Sequence, residues 1–357
     1  MNAQSLFGID LPIIQAPMAG VQAGSMAVAV SNAGGLGSLP CAMLTPEALR
    51  AELALITSQT DKPYNVNFFC HKPPTPDAAR QSMWHAALAP YYSELGLDVA
   101  DAPAGAGRSP FTAEAAALLE LFKPPVVSFH FGLPAADLLA RVKAWGAKVV
   151  SSATTVEEAL WLEANGADAV IAQGFEAGGH RGLFLTDDLT TQIGTMALLP
   201  QILRAVRIPV IAAGGIADAQ GVAAAMALGA TAVQVGTSYL LCNEATTTPL
   251  HRTALKSERA RHTVLTNLIT GRPARGIANR LMRELGPISD KAPAFPLATA
   301  ALAPLKAAAE KLGRDDFSTL WSGQNATGCR EIPAAEMTRL LAAISPASAE
   351  TLARPRL

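Results

Sequence analysis

The sequence is poor in charged residues and has no excess of either sign. Only 16% of its 357 residues are charged and the formal net charge is -1, whereas 50% of the residues are hydrophobic. A nucleic-acid-binding protein usually carries a basic surface and a disordered chain has little apolar content, so both classes are disfavoured. The composition predicts a globular protein with a sizeable core and no nucleic-acid partner.

Cysteines and long apolar runs are also scarce. The four cysteines lie far apart without a CxxC pair, and only Cys70 has a neighbouring histidine, His71, so neither a disulfide framework nor a metal site is expected. No stretch reaches the ~18 uninterrupted apolar residues of a membrane span, and the N-terminus lacks a basic segment followed by an apolar core. We therefore expect a soluble cytoplasmic protein with no membrane partner.

The sequence does contain a regular alternation of strand and helix patterns. Helices are predicted to start at Thr45 with Pro46 and at Asp218, and to end near Gly34, Gly166 and Gly229. Apolar runs between the helices predict eight strands, within residues 12–20, 35–41, 64–70, 125–132, 147–154, 169–173, 208–216 and 230–240. This order favours an α/β fold of the (β/α)8 barrel type over an open sheet.

Two segments depart from this rhythm. Residues 71–124 are proline-rich at first and then helical near 77–95 and 112–122, which predicts a helical insertion after the third strand. Residues 242–357 are alanine-rich, which predicts a helical C-terminal extension that packs on the barrel and forms a lid. We expect the barrel itself to occupy residues 1–241.

The loop after the sixth strand is predicted to carry chemistry. Its apolar strand runs into Gln173 and then into four glycines with one acid, Glu176, and one histidine, His180. Glycines let the backbone approach a flat or phosphorylated group, and His180 is the only group in the loop that changes charge near neutral pH. Glu176 either orients His180 or is solvated, and Arg181 either attracts anions or faces water.

Glycines also follow the last two strands. Residues 212–218 read AAGGIAD, and residues 234–237 read QVGT. In α/β barrels, the loops after strands seven and eight commonly bind phosphate through backbone N–H groups. Paired glycines alone equally suit a tight turn, but their occurrence after both strands favours a phosphate site. This site predicts either a sugar-phosphate substrate or a nucleotide-type cofactor such as FMN.

Several ordered segments carry a family resemblance. The segments IIQAPMAG, NVNFF, VVSFHFGLP, AQGFEAGGHRG, IPVIAAGGIAD, AVQVGTSYL, TGRPARGIANR and LWSGQ together resemble the nitronate monooxygenases, formerly called 2-nitropropane dioxygenases, over residues 13–324. The HFG and GGHRG segments are similar to those of the first, mainly bacterial and fungal, class. The resemblance implies an FMN-dependent enzyme that uses O2, without a reduced nicotinamide, to oxidise alkyl nitronates such as propionate 3-nitronate to an oxo compound plus nitrite.

The resemblance also implies the residues of the site. His180 would be catalytic and would bind the nitronate beside the flavin. His130 and Lys306 would contact the substrate, although a buried, hydrogen-bonded histidine and a solvent-facing lysine are the plain alternatives. The family's pocket tends to include tyrosines, of which this chain has four, so the substrate pocket is where it departs from the family. FMN would be bound by amides at its pyrimidine edge and by glycines and a hydroxyl at its phosphate, from Asn67, Gln173, Gly178, Gly215, Gln234, Val235, Gly236 and Thr237.

The implied mechanism is a one-electron oxidation of the nitronate through a flavin semiquinone, with O2 accepting the electron. A nitronate is already anionic, so His180 would act as a general base only toward a neutral nitroalkane. Three other functions are compatible with the pattern: an NAD(P)H-dependent flavin reductase of the quinone or enoyl type, a metal-free isomerase or lyase acting on a phosphorylated substrate, and a non-catalytic flavin or ligand carrier. Both a monomer and a homodimer are compatible with the sequence.

Overall fold

Eight parallel strands form the centre of the computed structural model, which describes residues 2–99 and 108–343. The strands in chain order are β1 (Ile13–Gln15), β2 (Gly37–Pro40), β3 (Tyr64–Phe69), β4 (Val126–His130), β5 (Lys148–Ala153), β6 (Ala169–Gln173), β7 (Gly179–His180), β8 (Val210–Ala213), β9 (Ala232–Val235), β10 (Thr263–Thr266) and β11 (Ala274–Ile277). One sheet has the order β1-β9-β8-β6-β5-β4-β3-β2, and a parallel bridge between Ile14 and Leu36 joins its two edges. The predicted (β/α)8 barrel is confirmed.

Each of the eight predicted strand segments contains one barrel strand. The last strand is shorter than predicted, because the chain turns at Gly236 into a short 3-10 helix over Thr237–Leu241. The apolar runs form strands that are covered on both faces, and every residue of β3 and β6 is buried. This burial explains why β6 is a continuous apolar run up to Gln173, whereas in β3 the alternating Asn65 and Asn67 are buried polar residues.

Helices surround the barrel. In chain order they are α1 (Ala3–Phe7), α2 (Gly24–Asn32), α3 (Pro46–Gln59), α4 (Ala78–Glu94), α5 (Ala113–Phe122), α6 (Ala136–Ala144), α7 (Val156–Ala164), α8 (Thr195–Ala205), α9 (Ala219–Ala227), α10 (Pro249–Leu255), α11 (Arg280–Leu285), α12 (Ala298–Lys311) and α13 (Ala334–Ala342). The residues of α1 pack against the barrel interior at Ile14 and Ile171, so this helix closes the amino end of the barrel.

The helix ends lie where the sequence pattern places them. Thr45 Oγ1 accepts a hydrogen bond from the N–H of Ala48 at 3.2 Å, and Asp218 Oδ1 accepts one from Gly221 at 2.8 Å. Each of these bonds satisfies a backbone donor that has no partner within its own helix. Gly34, Gly166 and Gly229 have φ values of 94°, 97° and 107°, which a residue with a side chain rarely adopts.

The two segments that depart from the alternation contribute to the ring of outer helices. In residues 71–124, α5 packs between α3 and α6, whereas α4 packs on α12 of the C-terminal segment. The last described helix, α13, packs between α9 and α2 and completes the ring. The boundary at residue 241 between the barrel and the C-terminal extension stays a proposal about folding units. Within the extension, α13 is the part that packs against the barrel helices. Residues 100–107 of the predicted insertion and 344–357 of the predicted extension lie outside the described residues.

The C-terminal segment also contains two strands that the alanine-rich pattern did not predict. Strands β10 and β11 are antiparallel, and β11 pairs with β7 so that Ala274 lies opposite His180 and Arg275 lies opposite Gly179. The C-terminal segment therefore holds the loop that follows β6. Across residues 2–99 and 108–343, no helix is long and apolar enough to cross a membrane.

Candidate active site

A cavity of about 470 Å³ lies at the carboxyl ends of the barrel strands. The C-terminal segment covers this end of the barrel and contributes Leu302, Lys306 and Trp321 to the cavity wall. Active sites of α/β barrels occupy this face of the fold. Every barrel strand or the residue after it contributes to the lining, through Ala16, Pro40, Phe69, His130, Ser152, Gln173, Ala213 and Gln234.

The structure brings nearly all of the expected site residues together. The exception is Val235, whose side chain packs in the barrel core and whose carbonyl accepts a hydrogen bond from the N–H of Ala16 at 2.8 Å. The residues that line the cavity are Asn67, His130, Gln173, Gly178, His180, Gly215, Gln234, Gly236, Thr237 and Lys306.

Backbone donors converge at one end of the cavity. Within the described part of the chain, the N–H groups of Gly178, Gly215 and Gly236 donate to no other residue. Thr237 Oγ1 accepts a hydrogen bond from the N–H of Gly323 at 2.9 Å, which leaves its own proton for another acceptor. A Cβ on Gly178 would lie 2.5 Å from the Gly323 nitrogen, so only glycine fits there. We call Gly178, Gly215, Gly236 and Thr237 the glycine cradle. Its unpaired donors fit the phosphate of FMN.

Two side-chain amides line the cavity but are held differently. Asn67 Nδ2 donates to Ser128 Oγ at 2.9 Å, and its Oδ1 makes no hydrogen bond with a described residue. Gln173 uses both ends of its amide within the loop: Nε2 donates to the carbonyl of His180 at 3.0 Å and Oε1 accepts from the N–H of Gly182 at 2.7 Å. Asn67 Oδ1 therefore fits a flavin ring N–H, whereas Gln173 chiefly shapes the loop and has one remaining proton to offer.

His180 lies in an aromatic wall of the cavity. Its ring centroid is 6.0 Å from that of Phe69, 5.3 Å from that of Phe295 and 5.8 Å from that of Trp321. His180 Nε2 lies 2.9 Å from Thr270 Oγ1. The other ring nitrogen, Nδ1, makes no hydrogen bond with a described residue, so it is the nitrogen available to a ligand.

Burial keeps the His180 ring neutral. It lowers the pKa of His180 well below the ordinary value of 6.5, and the positive charge of nearby Arg108 lowers this pKa further. A neutral imidazole can donate or accept a hydrogen bond, but it does not hold an anion by charge. The structure therefore favours a neutral, hydrogen-bonding imidazole over a protonated one.

His130 uses both of its ring nitrogens within the protein. Nε2 lies 3.2 Å from the carbonyl oxygen of His180, and Nδ1 lies 3.1 Å from Ser152 Oγ. A carbonyl oxygen only accepts, so Nε2 carries the proton and Nδ1 accepts from the serine hydroxyl. Burial lowers the pKa of His130 to about 3, against the opposing effect of the bond to His180. The ring lines the cavity as a buried, hydrogen-bonded histidine, and its contact with substrate stays a proposal.

Lys306 lies on α12 with its side chain both at the cavity wall and partly in solvent. The side chain is 39% exposed, and Nζ is 4.0 Å from Glu310 Oε1 one helical turn away. The pairing with Glu310 offsets part of the charge that Lys306 presents to the cavity. Lys306 thus lines the cavity but is partly solvated, and its contact with substrate stays a proposal.

Glu176 and Arg181 have roles other than those the sequence left open. The Glu176 carboxylate accepts hydrogen bonds from both the N–H and the hydroxyl of Thr195, each at 2.8 Å, and so caps α8. Arg181 is 0% exposed and donates to the carbonyls of Gly174 at 2.7 Å and Gln173 at 2.9 Å. Arg181 neither faces water nor meets an anion, and both residues fix the backbone of the loop.

Three residues of the cavity wall and its surroundings were missed by sequence reasoning. Thr270 and Trp321 lie within the family-like segments TGRPARGIANR and LWSGQ, so a signal was present but did not indicate proximity to His180. Arg108 belongs to a segment without a regular pattern, and nothing in the sequence marks it.

Comparisons with known proteins agree with this geometry. The nitronate monooxygenase family model matches residues 2–343 of the chain. The nitronate monooxygenase of Paraburkholderia phytofirmans is 45% identical, with 94% of this chain and 92% of that protein covered. The nitronate monooxygenase of Pseudomonas aeruginosa is 44% identical, with 94% and 96% covered. The solved structure of nitroalkane oxidase from Streptomyces ansochromogenes gives a TM-score of 0.88 at 39% identity and covers 98% of this chain and 99% of that chain.

Proposed function

Because the chain belongs to the nitronate monooxygenase family, we propose that it binds FMN in the cavity and uses O2 to oxidise alkyl nitronates, such as propionate 3-nitronate, to an oxo compound plus nitrite. The observation that carries the proposal is the position of His180 in a cavity whose other wall presents unpaired backbone donors. A cytoplasmic location and a monomeric or homodimeric state are further parts of the proposal.

The residues of the glycine cradle would hold the FMN phosphate. The N–H groups of Gly178, Gly215 and Gly236 and the hydroxyl of Thr237 are free to donate to phosphate oxygens. The Oδ1 atom of Asn67 would accept from the pyrimidine part of the flavin. Bound FMN would supply the electron acceptor for the nitronate, and the one-electron route expected from the sequence remains part of this proposal.

His180 would orient the nitronate through Nδ1. In the neutral ring one nitrogen donates and the other accepts. The Thr270 hydroxyl either donates to the Arg272 carbonyl at 3.3 Å and accepts from Nε2, or turns its proton to Nε2. With Nδ1 protonated, the ring donates to a nitronate oxygen; with Nδ1 unprotonated, the same atom is the base that a neutral nitroalkane requires. The walls formed by Phe69, Phe295 and Trp321 keep water from the hydrogen bond and so strengthen it.

Turnover of the FMN-loaded protein tests the proposal. With propionate 3-nitronate as the substrate, we expect O2 uptake together with nitrite release, and no requirement for NADH or NADPH. Absence of nitrite release, combined with rapid oxidation of NADH or NADPH, would instead assign the chain to the flavin reductases.

A further inference from the structure

Arg108 lies at the cavity wall on the side opposite the glycine cradle. The N–H of Phe111 donates to the carbonyl of Phe69 at 2.8 Å, which fixes the segment containing Arg108 to the end of β3. In the closed ring of eight strands, β3 is separated from β8 by β4, β5 and β6 on one side, so the two strands lie on opposite sides of the barrel. Because the cradle follows β6, β8 and β9, Arg108 is not placed to bind the FMN phosphate.

Arg108 has no acidic partner within the described part of the chain. Its guanidinium donates to Thr299 Oγ1 at 3.2 Å, and Thr299 in turn donates to the carbonyl of Ile269 at 3.0 Å. Among the described residues, the one acid that lines the cavity is Glu310, and it accepts a hydrogen bond from Ser318 Oγ at 2.6 Å. Arg108 is only partly exposed, and withdrawing a cation from water without a counter-ion is unfavourable, so an anion bound beside Arg108 would be stabilised.

The positive charges near Arg108 increase the stabilisation of an anion at this wall. The positive charges of Arg272 and Arg108 help burial lower the pKa of His71 to about 4, and Arg108 also lowers the pKa of His180. Arg272 lies with its guanidinium carbon 4.2 Å from the ring centroid of Phe131, which packs edge to face against Phe69 and Phe295 of the aromatic wall. Two arginines and two neutral histidines thus share this region.

Building on the proposed function, we propose that Arg108 binds a carboxylate carried by the nitronate substrate while His180 meets its nitronate group. An arginine can bind both oxygens of a carboxylate at once, and Thr299 holds the guanidinium at the wall for this contact. The chain therefore prefers nitronates with a carboxylate a few bonds from the nitronate carbon over nitronates with an uncharged chain. Arg108 is the residue that determines this specificity.

Two substrates and three variants test the proposal. The substrates are propionate 3-nitronate and propyl 1-nitronate, which differ in the carboxylate. In Arg108→Met we expect kcat/KM for propionate 3-nitronate to fall roughly tenfold to a hundredfold, mainly through KM, with less than about a threefold change for propyl 1-nitronate. Arg108→Lys retains the charge without the bidentate geometry and should recover part of the preference for propionate 3-nitronate. Arg50→Met removes the same charge from an exposed position on α3 and should leave the preference unchanged.

Equal losses for both substrates would place Arg108 on the nitronate group and overturn the proposal, as would an unchanged preference. A calorimetric titration of the FMN-loaded protein with 3-nitropropionate does not depend on turnover. Binding that weakens at least about tenfold in Arg108→Met supports the carboxylate contact, whereas equal binding overturns it. The titration therefore gives an answer even if neither nitronate is oxidised, an outcome that would count against the proposed function alone.

Discussion

The Nε2 atom of His130 donates to the main-chain carbonyl of His180 across 3.2 Å, and Nε2 of Gln173 donates to the same oxygen at 3.0 Å. Two side chains from β4 and β6, the strands on either side of β5, thus fix the backbone from which the His180 ring projects. On its other side, this backbone pairs with β11 of the C-terminal segment. His180 is therefore held by the barrel and by the segment that covers it.

His130 is expected to act as a positioning residue. Replacing it with leucine removes the donor to the His180 carbonyl, so the His180 ring should be less well oriented. We expect kcat for propionate 3-nitronate to fall about tenfold while the Kd for FMN stays the same. A fall in FMN affinity that parallels the loss of kcat would indicate a general structural defect instead, and His130→Asn should restore part of kcat.

His180 is expected to contribute directly to turnover. His180→Asn keeps a hydrogen-bonding group but shortens it, so we expect kcat/KM for the nitronate to fall on the order of a hundredfold, with FMN still bound. Steady-state O2 uptake and the flavin content of the purified variant measure the two effects separately. Unchanged kinetics would remove His180 from the site.

The glycine cradle is tested by two glycines with the same φ. Gly215 and Gly313 both have a φ of 72°, but only Gly215 lines the cavity. Replacement by alanine should cost each site about 1–2 kcal/mol of stability, because a Cβ is strained at this φ. We expect Gly215→Ala to raise the Kd for FMN at least about tenfold through displacement of its N–H, and Gly313→Ala to leave it unchanged. Equal FMN affinities, measured by fluorescence titration, would place the phosphate elsewhere.

The fold followed closely from the sequence because its signals are local. The apolar runs and the glycines at helix ends are local features, and they predicted the eight barrel strands. The strand β11 was missed because its pairing with β7 joins residues about ninety positions apart, as between His180 and Ala274, and β10 in turn pairs with β11. Nothing in the sequence around Arg181 shows that its guanidinium turns back onto the loop carbonyls.

The sequence predicted which residues line the cavity better than it predicted the contacts that they make. The expected site residues could be carried over from the family's motifs. The hydrogen bonds of Gln173 and His130, however, depend on the path of the loop after β6, whose His180 carbonyl accepts both of them. Arg108 was missed because its significance depends on what surrounds it in space. The absence of an acid partner is visible only once the cavity wall is assembled.

Buried histidines should make the protein less stable in mild acid. Burial lowers the pKa values of His71 and His251 to about 4, whereas these groups titrate near 6.5 when the chain is unfolded. Below pH 6.5 the unfolded chain binds protons that the folded chain does not, so the free energy of unfolding should fall by on the order of 1 kcal/mol per pH unit for each such histidine. The loss should continue down to the folded pKa.

Denaturant unfolding between pH 7 and pH 5 measures this effect. His251→Gln should reduce the pH dependence, because it removes one buried histidine. A free energy of unfolding that does not change over this range would contradict the neutral state of the buried histidines.

The visible spectrum of the FMN-loaded protein under anaerobic conditions tests the proposed function most directly. When propionate 3-nitronate is added, we expect the absorbance of oxidised flavin to decrease and then to return when O2 is admitted. An oxidised spectrum that stays unchanged with the nitronate but is lost with NADH or NADPH would contradict nitronate oxidation and support a nicotinamide-dependent flavin reductase.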